Sequence, residues 1–201
     1  RYPDIFTPDM TTFDMLATMQ HYQALTRLLD ITNDVRLATA MATAPFDDVE
    51  SEYNEHTAFV YVYAVKEECV KYTNSDTVAV ISNLARLEDE KVRLNNLGYL
   101  SYEVSRERPG FDWKEREGDI RRDLQRVWCV LPIQSNERVR SQSGAFLLFG
   151  CGDGKQILKP SFSEYDFEGE SPSEGIARVG YVAIKGNRKK AIAKELGDYV
   201  A

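Results

Sequence analysis

At 201 residues with 43% apolar side chains, the chain can bury one sizeable core and reads as a single soluble globular domain spanning 1–201. With 25 Lys and Arg against 32 Asp and Glu, the formal charge is −7 and the pI near 5.0. That excludes passive attraction of the whole molecule to nucleic-acid phosphate or an anionic membrane, and leaves room for a local basic patch. Cys69, Cys129 and Cys151, odd in number and in no Cys-x-x-Cys spacing, argue against a disulfide framework or a zinc knuckle and fit a reducing cytoplasm.

Residues 1–10, with Pro3 and Pro8, read as an irregular lead-in. Thr11 or Thr12 can cap a first helix, with Asp14 in its first turn and an apolar stripe of Met15, Leu16, Met19 and Tyr22 at helical spacing. Thr32 or Asn33 can cap a second helix that runs to about Ala44 and stops at Pro45. Residues 46–56 are acidic and polar, a surface loop with a solvated His56. Residues 57–65 form the clearest strand. They are β-branched and aromatic on both parities, the pattern of a central strand covered on each side.

Residues 75–126 read as a helical insertion: 77–87 and 88–106 have helical periodicity, Pro109-Gly110 breaks the run, and 113–125 is a charged helix with a solvated face. Buried strands are predicted at 127–131 and 145–149, with a short helix or turn at 137–141 between them. Residues 150–175 are a long Gly-, Ser-, Pro- and acid-rich loop, 178–185 a further strand, and 187–196 a basic amphipathic helix stopped by Gly197. The expected fold class is therefore α+β: a mixed, mostly antiparallel central sheet flanked by helices. No apolar run reaches the ~20 residues of a membrane helix, and no signal peptide is visible.

Several chemistries are excluded by motif. Residues 150–155, Gly-Cys-Gly-Asp-Gly-Lys, fall one residue short of a phosphate-binding loop, and Gln156 replaces its Ser or Thr. There is no dinucleotide fingerprint, no nucleophile elbow and no His-Glu-x-x-His pair; with two histidines and scattered cysteines, a dedicated transition-metal site is not expected. No DNA-binding signature is present.

The chemically densest stretch is 20–32, Gln-His-Tyr-Gln-Ala-Leu-Thr-Arg-Leu-Leu-Asp-Ile-Thr. Leu28 and Leu29 favour burial by roughly 1.5–3 kcal/mol each and draw Arg27 and Asp30 inward, where unpaired charges are costly. In an extended backbone Arg27 and Asp30 point to opposite faces; in a helical turn they lie side by side as a half-buried pair. Arginine's planar fork grips carboxylate or phosphate, so Arg27, or Arg138 if Arg27 is paired with Asp30, is the candidate anion ligand.

The stretch resembles the hallmark of the FRG domain family, mostly bacterial proteins often found in mobile or phage-defence-like gene contexts. That hallmark reads Gln-His-x-Gly-x-Pro-Thr-Arg-Leu-Leu-Asp-Trp-Thr. Gln20, His21, Thr26, Arg27, Leu28, Leu29, Asp30 and Thr32 match it; Gln23, Leu25 and Ile31 stand where the family has glycine, proline and tryptophan. A second block, residues 136–146, Asn-Glu-Arg-Val-Arg-Ser-Gln-Ser-Gly-Ala-Phe, resembles the family's Asn-x-Arg-(Ile/Val)-x-x-Gln-x-Gly-x-Phe signature. The Phe-Arg-Gly strand that names the family is absent, and the resemblance implies that an N-terminal strand is missing ahead of Arg1.

What the resemblance implies is an intracellular domain binding a phosphate-bearing nucleotide, with NAD as the candidate cofactor, by analogy with ADP-ribosyltransferases. ADP-ribosyl transfer or NAD hydrolysis would then follow. On this reading His21, Arg27, Asp30 and Glu170, the last in the acidic pattern Glu168-Gly169-Glu170, are catalytic, while Gln20, Tyr22, Thr26, Arg138 and Gln142 bind the ligand. The glutamate would stabilise an oxocarbenium-like centre as nicotinamide leaves. The competing reading is a non-enzymatic sensor or interaction module in which the same residues are structural.

Overall fold

A computed structural model describes residues 6–44, 56–87, 97–133, 144–151 and 175–197. In chain order it contains α1 (Thr12–His21), β1 (Leu28–Thr32), α2 (Val35–Thr43), β2 (Ala58–Val65), a 3-10 turn at Glu67–Cys69, β3 (Val70–Tyr72) and α3 (Asp76–Asn83). A second 3-10 turn at Leu84–Arg86 is followed by α4 (Gly98–Glu107), α5 (Trp113–Leu124), β4 (Val127–Leu131), β5 (Gly144–Phe149), β6 (Ile176–Ile184) and α6 (Gly186–Leu196).

The fold is α+β. One sheet has the strand order β1-β5-β4-β3, with β1–β5 and β4–β5 antiparallel and β3–β4 parallel; β2 and β6 form a separate antiparallel ribbon. The strand covered on both faces is β4, buried from Val127 through Val130, and not β2. The sequence of β2 suggested a central strand because both parities are apolar. Instead its rings shelter one another on a ribbon, where Phe59, Tyr61 and Val62 stay exposed. Among the described residues, no helix is long and apolar enough to cross a membrane.

Helix starts follow local chemistry. Thr11 caps α1 in a reciprocal box: its hydroxyl accepts from Asp14 N–H at 3.1 Å, and its own N–H donates to the Asp14 carboxylate at 3.3 Å. The cap of α2 is Asp34 rather than Thr32 or Asn33, accepting from Arg36 N–H at 2.8 Å, while the Thr32 hydroxyl accepts from Asp34 N–H one step earlier. The buried face of α1 is Thr12, Phe13 and Leu16. Met19 and Tyr22, expected in its apolar stripe, are exposed.

Helix α3 is the centre of the core. Every residue from Thr77 to Asn83 is buried, and the helix packs on α1, α4, α5 and β5. An eight-residue helix is too short to persist alone, and this one is buried on all sides from Thr77 on, so its stability is tertiary. Its polar C-terminal end is closed by Glu107. One oxygen of that carboxylate accepts from Thr12 N–H at 3.1 Å, Thr12 Oγ1 at 2.5 Å and Asn83 Nδ2 at 2.9 Å, and Arg86 Nε donates to Thr12 Oγ1 at 2.8 Å. The carboxylate thus satisfies a first-turn donor of α1 and sits at the positive end of that helix. Its second oxygen is buried with no partner, so the clasp falls short of full strength.

Replacing Glu107 by Ala orphans Thr12 N–H and takes one acceptor from the Asn83 amide, which keeps its bond to the Ala79 carbonyl at 2.9 Å. We expect a loss of roughly 3 kcal/mol in urea denaturation, and a loss of about 1 kcal/mol for Glu107→Gln, which keeps an acceptor.

Candidate functional site

The stretch 20–32 begins on the last turn of α1. Ala24 N–H bonds to the Met19 carbonyl at 3.0 Å and Gln23 N–H to the Gln20 carbonyl at 2.8 Å, a six-to-one plus five-to-two closure of the helix end. The residue at its hinge, Gln23, is left-handed with φ +63°. That conformation is normally glycine's, and Gln23 stands where the resembled family has glycine. Leu25, at the family's proline position, is fully exposed.

From this turn the side chains close on one another. Gln20 Nε2 donates to Asp30 at 2.7 Å, Thr26 Oγ1 donates to Gln20 Oε1 at 2.6 Å, and Leu28 N–H donates to Thr26 Oγ1 at 3.2 Å. Of the two arrangements open to Arg27 and Asp30, the structure takes the extended one: the two point apart, no Arg27–Asp30 pair forms, and Asp30 takes Gln20 instead. Arg27 donates from Nη1 to the Phe149 carbonyl at 2.7 Å, and Phe149 N–H returns a bond to the Arg27 carbonyl at 3.0 Å. Burial pulls Arg27 below the usual arginine value, with Cys151 acting the other way. Burial likewise pushes the Cys151 thiol up against the pull of Arg27. Among the described residues Arg27 has no carboxylate partner. Leu28 is buried, but Leu29 is exposed, because alternation in β1 turns it outward.

His21 and Tyr22 are exposed, edge to face at 5.8 Å between ring centroids. The described end of the second block lies beside the first: Asp30, Ile31 and Thr32 pair with Phe146, Ala145 and Gly144. Arg27 meets Phe149 at the opposite end of that ladder. Arg138, Gln142 and Glu170 lie outside the described residues.

A cleft of about 360 Å³ opens elsewhere, between α5, β4 and the β3 region, lined by Lys71, Arg116, Arg122, Arg126, Glu68, Thr77, Asp119, Asp123 and Trp128. Its frame is Asp123, whose carboxylate accepts from Thr77 Oγ1 at 2.7 Å and whose carbonyl accepts from the Trp128 indole at 2.9 Å. Two of its cations are spoken for: Arg116 pairs with Asp76 at 2.6 Å, and Arg122 with Asp119. Lys71 Nζ lies 4.8 Å from the centroid of the Trp128 ring. Among the described residues neither Lys71 nor Arg126 has a carboxylate within ion-pair reach.

None of the residues singled out in 20–32 lines this cleft. Arg116, Asp119, Arg122 and Asp123 were readable as one face of the charged helix from their spacing of three and four. Lys71 and Trp128 carry no local signal, because only the parallel β3–β4 pairing brings them together.

Compared with protein-family models, curated proteins and solved structures, the chain matches none. The FRG resemblance rests on the residues of its two segments.

If Gln23 bears the left-handed strain, Gln23→Gly should raise stability by about 1 kcal/mol, offset in part by unfolded-state entropy. Thermal unfolding would then move up by about 2–4 °C. An unchanged or lower midpoint would show that the turn is shaped by something other than this backbone angle.

Proposed function

We propose that the chain is an FRG-type, cytoplasmic recognition domain that holds a phosphate-bearing nucleotide in the cleft around Lys71, Arg116, Arg122 and Arg126, with the segment 20–32 acting as a structural brace. The observation that carries this reading is the charge state of the cleft. Four cations border about 360 Å³, and two of them have no carboxylate partner among the described residues. Such a space is the size of a small-ligand site, and a phosphate entering it gains charge-assisted contacts without first breaking an ion pair.

The brace role is supported by the closed bonding of Gln20, Thr26 and Asp30 and by the commitment of Arg27 to the Phe149 carbonyl. A residue whose polar atoms are engaged by its own chain is better suited to holding a shape than to moving a proton. The side-by-side pairing of Asp30–Thr32 with Gly144–Phe146 supports the FRG-type reading, since two segments far apart in sequence are neighbours in one ladder. Three free, buried cysteines support a reducing compartment.

NAD, ADP and pyrophosphate, titrated by calorimetry and followed by thermal shift, should bind and stabilise, and adenosine should not. Lys71→Ala or Arg126→Ala should each weaken binding about tenfold, the size of one charge-assisted contact. No stabilisation by any phosphate-bearing ligand would overturn the proposal, and release of nicotinamide from NAD would move the chain to the enzymes.

A further inference from the structure

The ribbon of β2 and β6 carries a feature outside the cleft and the brace. Across it Phe59 is paired with Ala183 and Tyr61 with Tyr181, so these four side chains share one face. The three rings form a cluster: Phe59 and Tyr61 are 6.2 Å apart at 19° between planes, and Tyr181 stands edge-on at 5.5 Å from Phe59 and 6.3 Å from Tyr61. They are nevertheless about half exposed, at 45%, 47% and 60%. Three large rings held together yet left in water form the kind of exposed aromatic patch that marks a binding surface.

Charge brackets the rings. The Arg178 guanidinium lies 5.1 Å from the Tyr61 ring centroid, on the side toward the core. At the other end Lys185 follows Tyr181 and Ala183 at the alternation of an extended backbone and is exposed. Neither strand contains an acidic residue, and from Arg178 to Leu196 there are six Lys and Arg against one Glu, in a chain whose formal charge is −7. Cation, rings, cation, along one face of adjacent antiparallel strands, fits a ligand that alternates anions with flat apolar surfaces.

We propose that the β2–β6 ribbon is a platform for single-stranded nucleic acid, whose unpaired bases stack on Phe59, Tyr61 and Tyr181 while Arg178 and Lys185 meet the flanking phosphates. Sheet aromatics on adjacent strands typically stack two or three bases, matching the number of rings here. A duplex keeps its bases stacked on each other and offers the rings nothing, so the site discriminates against it.

The test is fluorescence anisotropy of a labelled oligo(dT) or oligo(U) against a duplex of equal length, with the full chain. The single strand should bind at least tenfold more tightly than the duplex. Tyr61→Ala and Tyr181→Ala should each weaken it about tenfold or more, whereas Tyr61→Phe and Tyr181→Phe, which keep the ring, should bind like the parent. Lys185→Ala should flatten the salt dependence by roughly 0.7 in log–log slope. Equal affinity for duplex and single strand, or affinity lost in Lys71→Ala but kept in Tyr181→Ala, would overturn the proposal. So would a concentration-dependent dimer that Tyr181→Ala dissolves, since the face would then be an interface between copies.

Discussion

Helix α3 is buried around its whole circumference from Thr77 to Asn83, and burying it obliges the protein to answer the polar groups at its end. Glu107 gives that answer. By accepting from Asn83 and from the first turn of α1, it joins the buried helix to α1 through one carboxylate oxygen. Three elements remote in sequence are therefore fixed against each other by a single group. Because α1 is anchored at its start, its far end arrives at a defined place. The left-handed turn at Gln23 can then deliver Arg27 to the Phe149 carbonyl and β1 to the edge of β5. The chain tolerates strain at Gln23 because both sides of the turn are already held.

The same tertiary dependence decides what could be read from the residues alone. Helices α1 and α5 were legible because their starts are local. Thr11 with Asp14, and Asp112 accepting from Lys114 and Glu115 N–H, need nothing but their neighbours in sequence. The strands β4 and β5 were legible as apolar runs. What apolar runs cannot report is which of them lies in the middle: β2 is apolar on both parities, yet the strand buried on both faces is β4. The three-residue β3 is too short to leave a pattern, and its parallel pairing is the only reason Lys71 meets Trp128.

The segment 20–32 shows the limit from the other side. Its composition suggests chemistry, and its geometry gives most of those groups a partner in the chain. Whether Arg27 and Asp30 meet is decided by one backbone state, and residues three apart do not reveal it. The extended form sends Asp30 to Gln20, whose amide has a donor for it and an acceptor for Thr26, so one side chain ties the end of α1 to the start of β1. That arrangement explains why the segment needs an amide, a hydroxyl and a carboxylate without invoking a substrate.

Charge is what separates binding surfaces from the rest of this acidic molecule. A surplus of carboxylates repels phosphate at long range, so any anionic ligand must be captured over a Debye length of about 8–10 Å, where local cations outweigh the distant surplus. Around the cleft Arg116 and Arg122 lie beside carboxylates, and among the described residues Lys71 and Arg126 have none within ion-pair reach. From Arg178 to Leu196 the sequence carries six Lys and Arg against one Glu, and the neighbouring rings supply an attraction that salt does not screen. The two proposed surfaces therefore differ in kind: the cleft would grip a compact polyanion by charge, and the ribbon would hold an extended ligand mainly by stacking.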